Sequence, residues 1–102
     1  MSYHLDTDKI TALTSQPAAL DPGVLAVKVE VRADHTGEEV LQFRVVLKDS
    51  LRMSKPSVKM GQRLQRIAAE LRERVAAAGL PLFASVEFVI KSELAALERR
   101  PA

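Results

Sequence analysis

The sequence predicts an α+β fold in which a small antiparallel or mixed three-stranded sheet carries one long helix on one face, with elements in the order αββαβα. Three observations lead to this expectation. Two runs of alternating apolar residues flank a short polar turn, a longer run has apolar positions spaced three and four apart, and a third alternating run follows it. Together they describe one folding unit over residues 1–102, a usual length for a single domain.

A β-hairpin is predicted for residues 24–47. Its two strands, "VLAVKVEVR" and "VLQFRVVL", alternate so that each buries one face. The turn "DHTGEE" has Asp34 first and Gly37 fourth, which suits a three-residue loop whose glycine is left-handed. Pairing Asp34 with Glu38 fixes the register. It then sets four apolar pairs on one face: Val31 with Leu41, Val29 with Phe43, Val27 with Val45, and Leu25 with Leu47.

A long helix is predicted for residues 57–79. Ser57, directly after Pro56, suits an N-cap, and Gly79 followed closely by Pro81 suits a helix end. The apolar stripe comprises Met60, Leu64, Ile67, Leu71, Val75 and Ala78. A coiled coil would use the same stripe, but it persists for only about three heptads, so packing against the sheet is favoured.

The remaining elements lie at the two ends of the chain. Residues 82–90, "LFASVEFVI", alternate as a third strand, and a short helix over 92–99 with Ser92 as its cap would carry Leu94 and Leu97. Residues 1–23 are expected to hold a short helix within 6–15 and then a loop. If the third strand joins beside the first, a right-handed crossover by the long helix gives the strand order 2-1-3.

Residues 48–66 concentrate positive charge. Their net charge is +5, from six bases and one acid, whereas residues 1–47 total −3 and residues 67–102 total 0. The basic side chains are Lys48, Arg52, Lys55, Lys59, Arg63 and Arg66. They could bind RNA or another polyanion at the start of the long helix, where unpaired backbone N–H groups also attract phosphate. The alternative is an ordinary solvated helix face, which the absence of aromatic residues in this stretch favours.

The outward face of the sheet is the second candidate surface. Its possible protein interface comprises Val46, Phe83 and Val89, with Arg44 beside them. A second copy, a partner protein or the chain's own terminal helices could cover these residues. Lys28 lies opposite Arg44 in the predicted register and would repel it. Glu30 and Glu87, or a bound anion, could offset this repulsion.

The sequence contains no recognisable catalytic motif. The acids around His35 in the hairpin turn could hold a metal, but a turn is polar for ordinary reasons and one histidine makes a poor ligand set. The chain has no cysteine, so a disulfide or a thiol nucleophile is excluded. The sequence therefore favours a non-enzymatic protein without catalytic residues, cofactor or metal.

The chain is expected to be soluble and cytoplasmic, with no membrane contact. No apolar run reaches the roughly 18 residues that span a bilayer, and "MSYHLDTDK" lacks the features of a signal peptide. The functional hypothesis is a small protein-interaction module that forms a homodimer, or binds a protein partner, through the outer face or an edge of its sheet. The alternative hypothesis is RNA or polyanion binding through residues 48–66.

Overall fold

The computed structural model describes residues 4–51 and 57–98, and it confirms the predicted α+β class. In chain order the elements are α1 (Thr7–Thr14), α2 (Pro17–Leu20), β1 (Val24–Ala33), β2 (Glu39–Leu47), a single 3₁₀ turn (Asp49–Leu51), α3 (Val58–Ala77), β3 (Phe83–Ile90) and α4 (Lys91–Glu98). The order agrees with αββαβα, with α2 as an additional one-turn helix where a loop was expected. The sheet is mixed, because β1 and β2 are antiparallel whereas β2 and β3 are parallel.

The hairpin turn forms as the sequence predicts. The Asp34 N–H donates to the Glu38 carbonyl at 2.8 Å, and Gly37 has a φ of 88°, which only glycine adopts at little cost. The Asp34 carboxylate also accepts hydrogen bonds from the Thr36 and Glu38 N–H groups. This turn sets the predicted register, in which Val27 lies opposite Val45.

The predicted pairing of Leu25 with Leu47 is wrong. A register shift between Val24 and Ala26 places Val24 opposite Leu47. Val24 is consequently 3% exposed and in the core, whereas Leu25 is 41% exposed. A β-bulge inserts one extra residue into one strand, so strict alternation stops at that point and the side chain at the bulge turns outward.

The predicted strand order 2-1-3 is also wrong, because the order is β1-β2-β3. The β2–β3 pairing matches side chains on both faces: Val45 lies opposite Phe88 on the inner face, and Arg44 lies opposite Glu87 on the outer face. The central position suits β2, whose inner row is fully buried. Three of the four outward side chains of β1 are charged, namely Lys28, Glu30 and Arg32, and such a strand belongs at an edge.

The main core lies between the inner face of the sheet and α1 and α3. Ser57 caps α3 as predicted, since its hydroxyl accepts a hydrogen bond from the Met60 N–H, and Gly79 ends it with a φ of 70°. The largest fully buried side chains are Leu13, Leu41, Phe43, Val45, Ile67 and Leu71. The apolar stripe of α3 therefore packs on the sheet and on α1, which accounts for its helical spacing without a coiled coil.

A second, smaller layer is formed by α4 on the outer face of the sheet. This helix follows β3 without a linker and begins at Lys91, one residue earlier than predicted. The Ser92 N–H donates to the carboxylate of Asp49 at 3.0 Å, so a side chain from the 3₁₀ turn contributes to capping α4. Leu94 packs onto the sheet, while the Leu97 side chain lies outside what the structure describes.

Candidate functional site

The structure divides the predicted interface residues into two groups. Val46 and Val89 are only 4% and 7% exposed, because Leu94 of α4 packs over them in a small apolar cluster that also includes Ala26. The chain's own C-terminal helix thus covers this end of the outer face. Phe83 lies at the opposite end of β3 and is 69% exposed. It is opposite Val40 in the β2–β3 register, close to the hairpin turn.

Phe83 borders a groove on each side of the sheet. On the helical side, a cavity of about 250 Å³ lies between the end of α3 and the start of β3, with Arg72, Ala76 and Leu80 in its wall. On the outer side, a cavity of about 290 Å³ is lined by residues that include Arg32 and Gln42. A large apolar side chain that projects between two grooves on a strand at the sheet edge is the most accessible apolar feature of the sheet.

The charged residues at the centre of the outer face are paired with one another. Arg44 Nε lies 3.2 Å from Glu87 Oε2, and Lys28 Nζ lies 3.7 Å from Glu98 Oε1 of α4. The Lys28–Arg44 repulsion is therefore offset by two acids: Glu87 pairs with Arg44, as predicted, and Glu98 pairs with Lys28. The outer face is locally balanced in charge, so it can approach another surface without a strong net repulsion.

Arg63 is bound to Asp21 and is not available as an independent anion ligand. Its Nε donates to Asp21 Oδ2 at 2.6 Å, and its Nη2 donates to Oδ1 of the same carboxylate. The hydrogen bonds from Arg63 hold the pKa of Asp21 below its usual value, partial desolvation opposes them, and the Gly23 N–H adds to them. The pair links the loop before β1 to the first half of α3.

Two other basic residues of the predicted polyanion site flank Arg63, since Lys59 and Arg66 lie four residues before it and three residues after it on one side of α3. Lys48 is exposed after β2, and Lys59 and Arg66 are exposed two turns apart along α3. Arg52 and Lys55 lie outside the described residues. Among the residues that the structure describes, the predicted site therefore consists of three exposed cations and one arginine that is paired with Asp21.

The hairpin turn around His35 offers no metal-binding arrangement. Its Asp34 carboxylate accepts hydrogen bonds from the Thr36 hydroxyl and from backbone N–H groups, which together hold the pKa of Asp34 below its usual value. Across residues 4–51 and 57–98, no three His, Asp or Glu side chains are grouped so that they could hold a metal ion. In the same ranges, no helix combines the length and hydropathy that crossing a membrane requires.

The chain matches no protein-family model, no curated protein and no solved structure. The geometry of the chain is therefore the basis for any functional proposal.

Sequence reasoning identified Phe83 but missed its surroundings. Arg72, Ala76 and Leu80, which line the groove on the helical side, were assigned only to the long helix and its end. Their proximity to Phe83 depends on where β3 joins the sheet. The charges of Arg44 and Glu87, on opposite strands at the same face, are a signal that could have indicated that position.

Proposed function

We propose that this chain is a non-enzymatic interaction module that associates with a second copy of itself through the part of its sheet around Phe83. The observation that carries the proposal is the 69% exposure of this side chain at the start of an edge strand, between two grooves. Burying a phenylalanine side chain contributes roughly 1.5–3 kcal/mol. Two symmetry-related copies of Phe83, each 69% exposed, would contribute roughly 2–4 kcal/mol before the entropic cost of association, so neighbouring contacts must supply the rest of a stable dimer's affinity.

The balanced charges of the outer face agree with association between identical surfaces. In a symmetric dimer the same patch meets itself, so a strongly cationic or anionic patch would repel its copy. The ion pairs Arg44–Glu87 and Glu30–Arg32 keep both signs on this face. Two copies can therefore associate through this face without bringing unpaired charges of the same sign together.

The test is size-exclusion chromatography with light scattering on the wild-type protein and on two matched variants. Phe83→Glu introduces a charge at the proposed contact. Val58→Glu makes a similar apolar-to-acid change at a position that is 77% exposed, on the first turn of α3. We expect the wild type and Val58→Glu to form dimers and Phe83→Glu to elute as a monomer. At protein concentrations well below the dimer dissociation constant, all three should unfold within about 0.5 kcal/mol of one another, because both sites are exposed.

Two results would contradict the proposal: a monomeric wild type at every concentration, or a Phe83→Glu variant that dimerises as well as Val58→Glu does. The same experiment also tests the polyanion hypothesis when absorbance is read at 260 and 280 nm. The protein has one Tyr and no Trp, so bound nucleic acid would dominate the ultraviolet absorbance. Nucleic acid that co-elutes at low salt and separates at high salt would support polyanion binding instead.

A further inference from the structure

We propose that two copies join through their β3 edges, antiparallel, to form one continuous six-stranded sheet. This inference rests on the proposed self-association and specifies the strand and the geometry that produce it. A three-stranded sheet has two edges, here β1 and β3, and each edge strand presents backbone N–H and C=O groups to one side. The two edges differ in the features that prevent pairing with another chain.

The β1 edge is well protected. Lys28, Glu30 and Arg32 alternate along its outer face, and the bulge at Leu25 interrupts its regular course. Helices pack on both edge strands, α1 and α2 on β1 and α3 and α4 on β3, so they do not distinguish the two edges. Charged side chains and bulges are two of the means by which proteins keep an edge strand from pairing.

The β3 edge has no bulge and little charge. Its sequence, "FASVEFVI", contains no Pro, Gly, Lys or Arg, and its single charged side chain, Glu87, is paired with Arg44. Its pairing with β2 runs regularly from Phe83 to Ile90. The core-facing side chains of Val86 and Phe88 are only half-buried. A regular, apolar edge of this kind pairs readily with another strand.

A second copy is the partner that this asymmetry favours. Antiparallel pairing of two β3 strands about a two-fold axis uses both unprotected edges at once. The combined sheet then ends on each side at a protected β1 edge, so assembly stops at the dimer. A different partner protein would have to supply a complementary strand of its own, whereas a second copy carries it already.

The sequence of β3 favours one register, centred on Val86. In that register each Val86 lies opposite its counterpart, each Ser85 lies opposite Glu87 of the other copy, and each Phe83 lies opposite Val89. The outer faces of the two copies remain on the same side, because directly opposite residues in a sheet share a face. Centring the pairing on Glu87 would place two like charges directly opposite each other. Centring it on Ser85 would pair fewer residues.

The experiment measures dimer dissociation constants for charge variants at two adjacent positions. Ser85→Glu would place an acid opposite Glu87 twice in each dimer, whereas Ser85→Lys would place a base there. Gln42→Glu is the control, since Gln42 is the neighbour of Ser85 on the same face but lies on the central strand. We expect Ser85→Glu to raise the dissociation constant by between about 2-fold and 30-fold, from two opposed like-charge pairs. Ser85→Lys should leave it unchanged or lower it, and Gln42→Glu should leave it unchanged.

Cysteine cross-linking provides a second measurement, which detects the contact even if the substitution weakens the dimer. The chain has no native cysteine, so Val86→Cys carries a single thiol. In the proposed register the two substituted residues are directly opposite, with their Cα atoms about 4.5–5.5 Å apart, a separation that suits a disulfide. Oxidation should therefore yield a covalent dimer. Val29→Cys, a half-buried and core-facing position on the β1 edge, should yield none.

The outcomes separate this inference from the proposed function. A wild-type protein that is monomeric at every concentration refutes both. A dimer that is weakened equally by Ser85→Glu and Gln42→Glu, or by neither, and that does not cross-link through Val86→Cys, refutes edge pairing while self-association stands. A dimer that cross-links through Val29→Cys instead would assign the contact to the other edge.

Discussion

Replacing Asp21 with asparagine tests how the loop before β1 is held to α3. Asp21 accepts two hydrogen bonds from the Arg63 guanidinium and one from the Gly23 N–H at 2.7 Å. The Asp21 side chain is 10% exposed, whereas that of Arg63 is 33% exposed. A hydrogen bond to a charged group contributes about 1.5–3 kcal/mol, and water near Arg63 screens the interaction, so the lower value applies. We expect Asp21→Asn to lower the free energy of unfolding by about 1.5 kcal/mol at neutral pH.

The pH dependence of this difference has a definite sign. The pKa of Asp21 is lowered by folding, so the carboxylate contributes stability that is fully present above its unfolded pKa and lost as the pH falls through its folded pKa. Asparagine does not titrate. The stability difference between wild type and Asp21→Asn should therefore be constant at neutral pH and shrink in acid, as the pH falls below the ordinary aspartate pKa of 3.8.

Urea unfolding at neutral and acidic pH measures both effects. The shift at neutral pH corresponds to a melting temperature about 6–12 °C lower for a domain of this size. Glu30→Gln is the matched control, because the Glu30–Arg32 pair spans 3.7 Å and both side chains are at least 60% exposed. That control should change stability by less than about 0.5 kcal/mol. An Asp21→Asn variant as stable as Glu30→Gln, or a difference that does not depend on pH, would refute the reasoning.

Three further predictions concern the backbone and the α4 layer. Gly61→Ala should stabilise the protein by about 0.5–1 kcal/mol, because Gly61 is in α3 and an added Cβ would meet nothing within 4 Å. Gly37→Ala should destabilise it by about 1 kcal/mol, because the φ of 88° at Gly37 strains any other residue; thermal melts of the two variants should therefore shift in opposite directions. Leu94→Ala should lower stability by about 2 kcal/mol and increase binding of a hydrophobic dye, because it uncovers Val46 and Val89. An unchanged thermal melt would contradict the placement of α4.

The parts of the fold that depend on near neighbours could be predicted from the sequence. The hairpin register follows from Asp34 and Gly37, which fix the turn within five residues, and the length of α3 follows from the cap at Ser57 and the glycine at Gly79. In each case the deciding interactions lie within a few residues along the chain. The turn residues and the apolar pattern supported the same structure, which is why these predictions were confirmed.

The parts that depend on distant contacts could not be predicted as well. The bulge at Leu25 has no signature in the composition of β1. It is visible only in the structure, where Val24 is buried and Leu25 is exposed. The position of β3 is decided by a match with β2, and the ion pair of Arg63 is decided by a residue 42 positions earlier, at Asp21. Hydrophobic periodicity cannot predict the bulge, the position of β3 or the ion pair. It shows which face of an element is apolar, but it does not show which partner covers that face.

The candidate site likewise has one feature that the sequence could predict and one that depends on distant contacts. Sequence alternation correctly placed Val46, Phe83 and Val89 on one face of the sheet. It could not show that α4 covers two of them and leaves the third exposed, since α4 is only eight residues long and its docking depends on contacts with β2 and β3. The proposed interface is therefore limited to Phe83 and the β3 edge.

The most direct test of self-association through β3 is the mass of the wild-type protein in solution, measured by light scattering or sedimentation equilibrium from about 1 μM to about 1 mM. The chain has a mass of 11.2 kDa. Edge pairing predicts a mass that rises with concentration to a plateau at twice this value and stays there, because the pairing of two β3 edges closes the assembly. A mass of 11.2 kDa across the whole range, or one that continues to rise beyond the dimer, would contradict it.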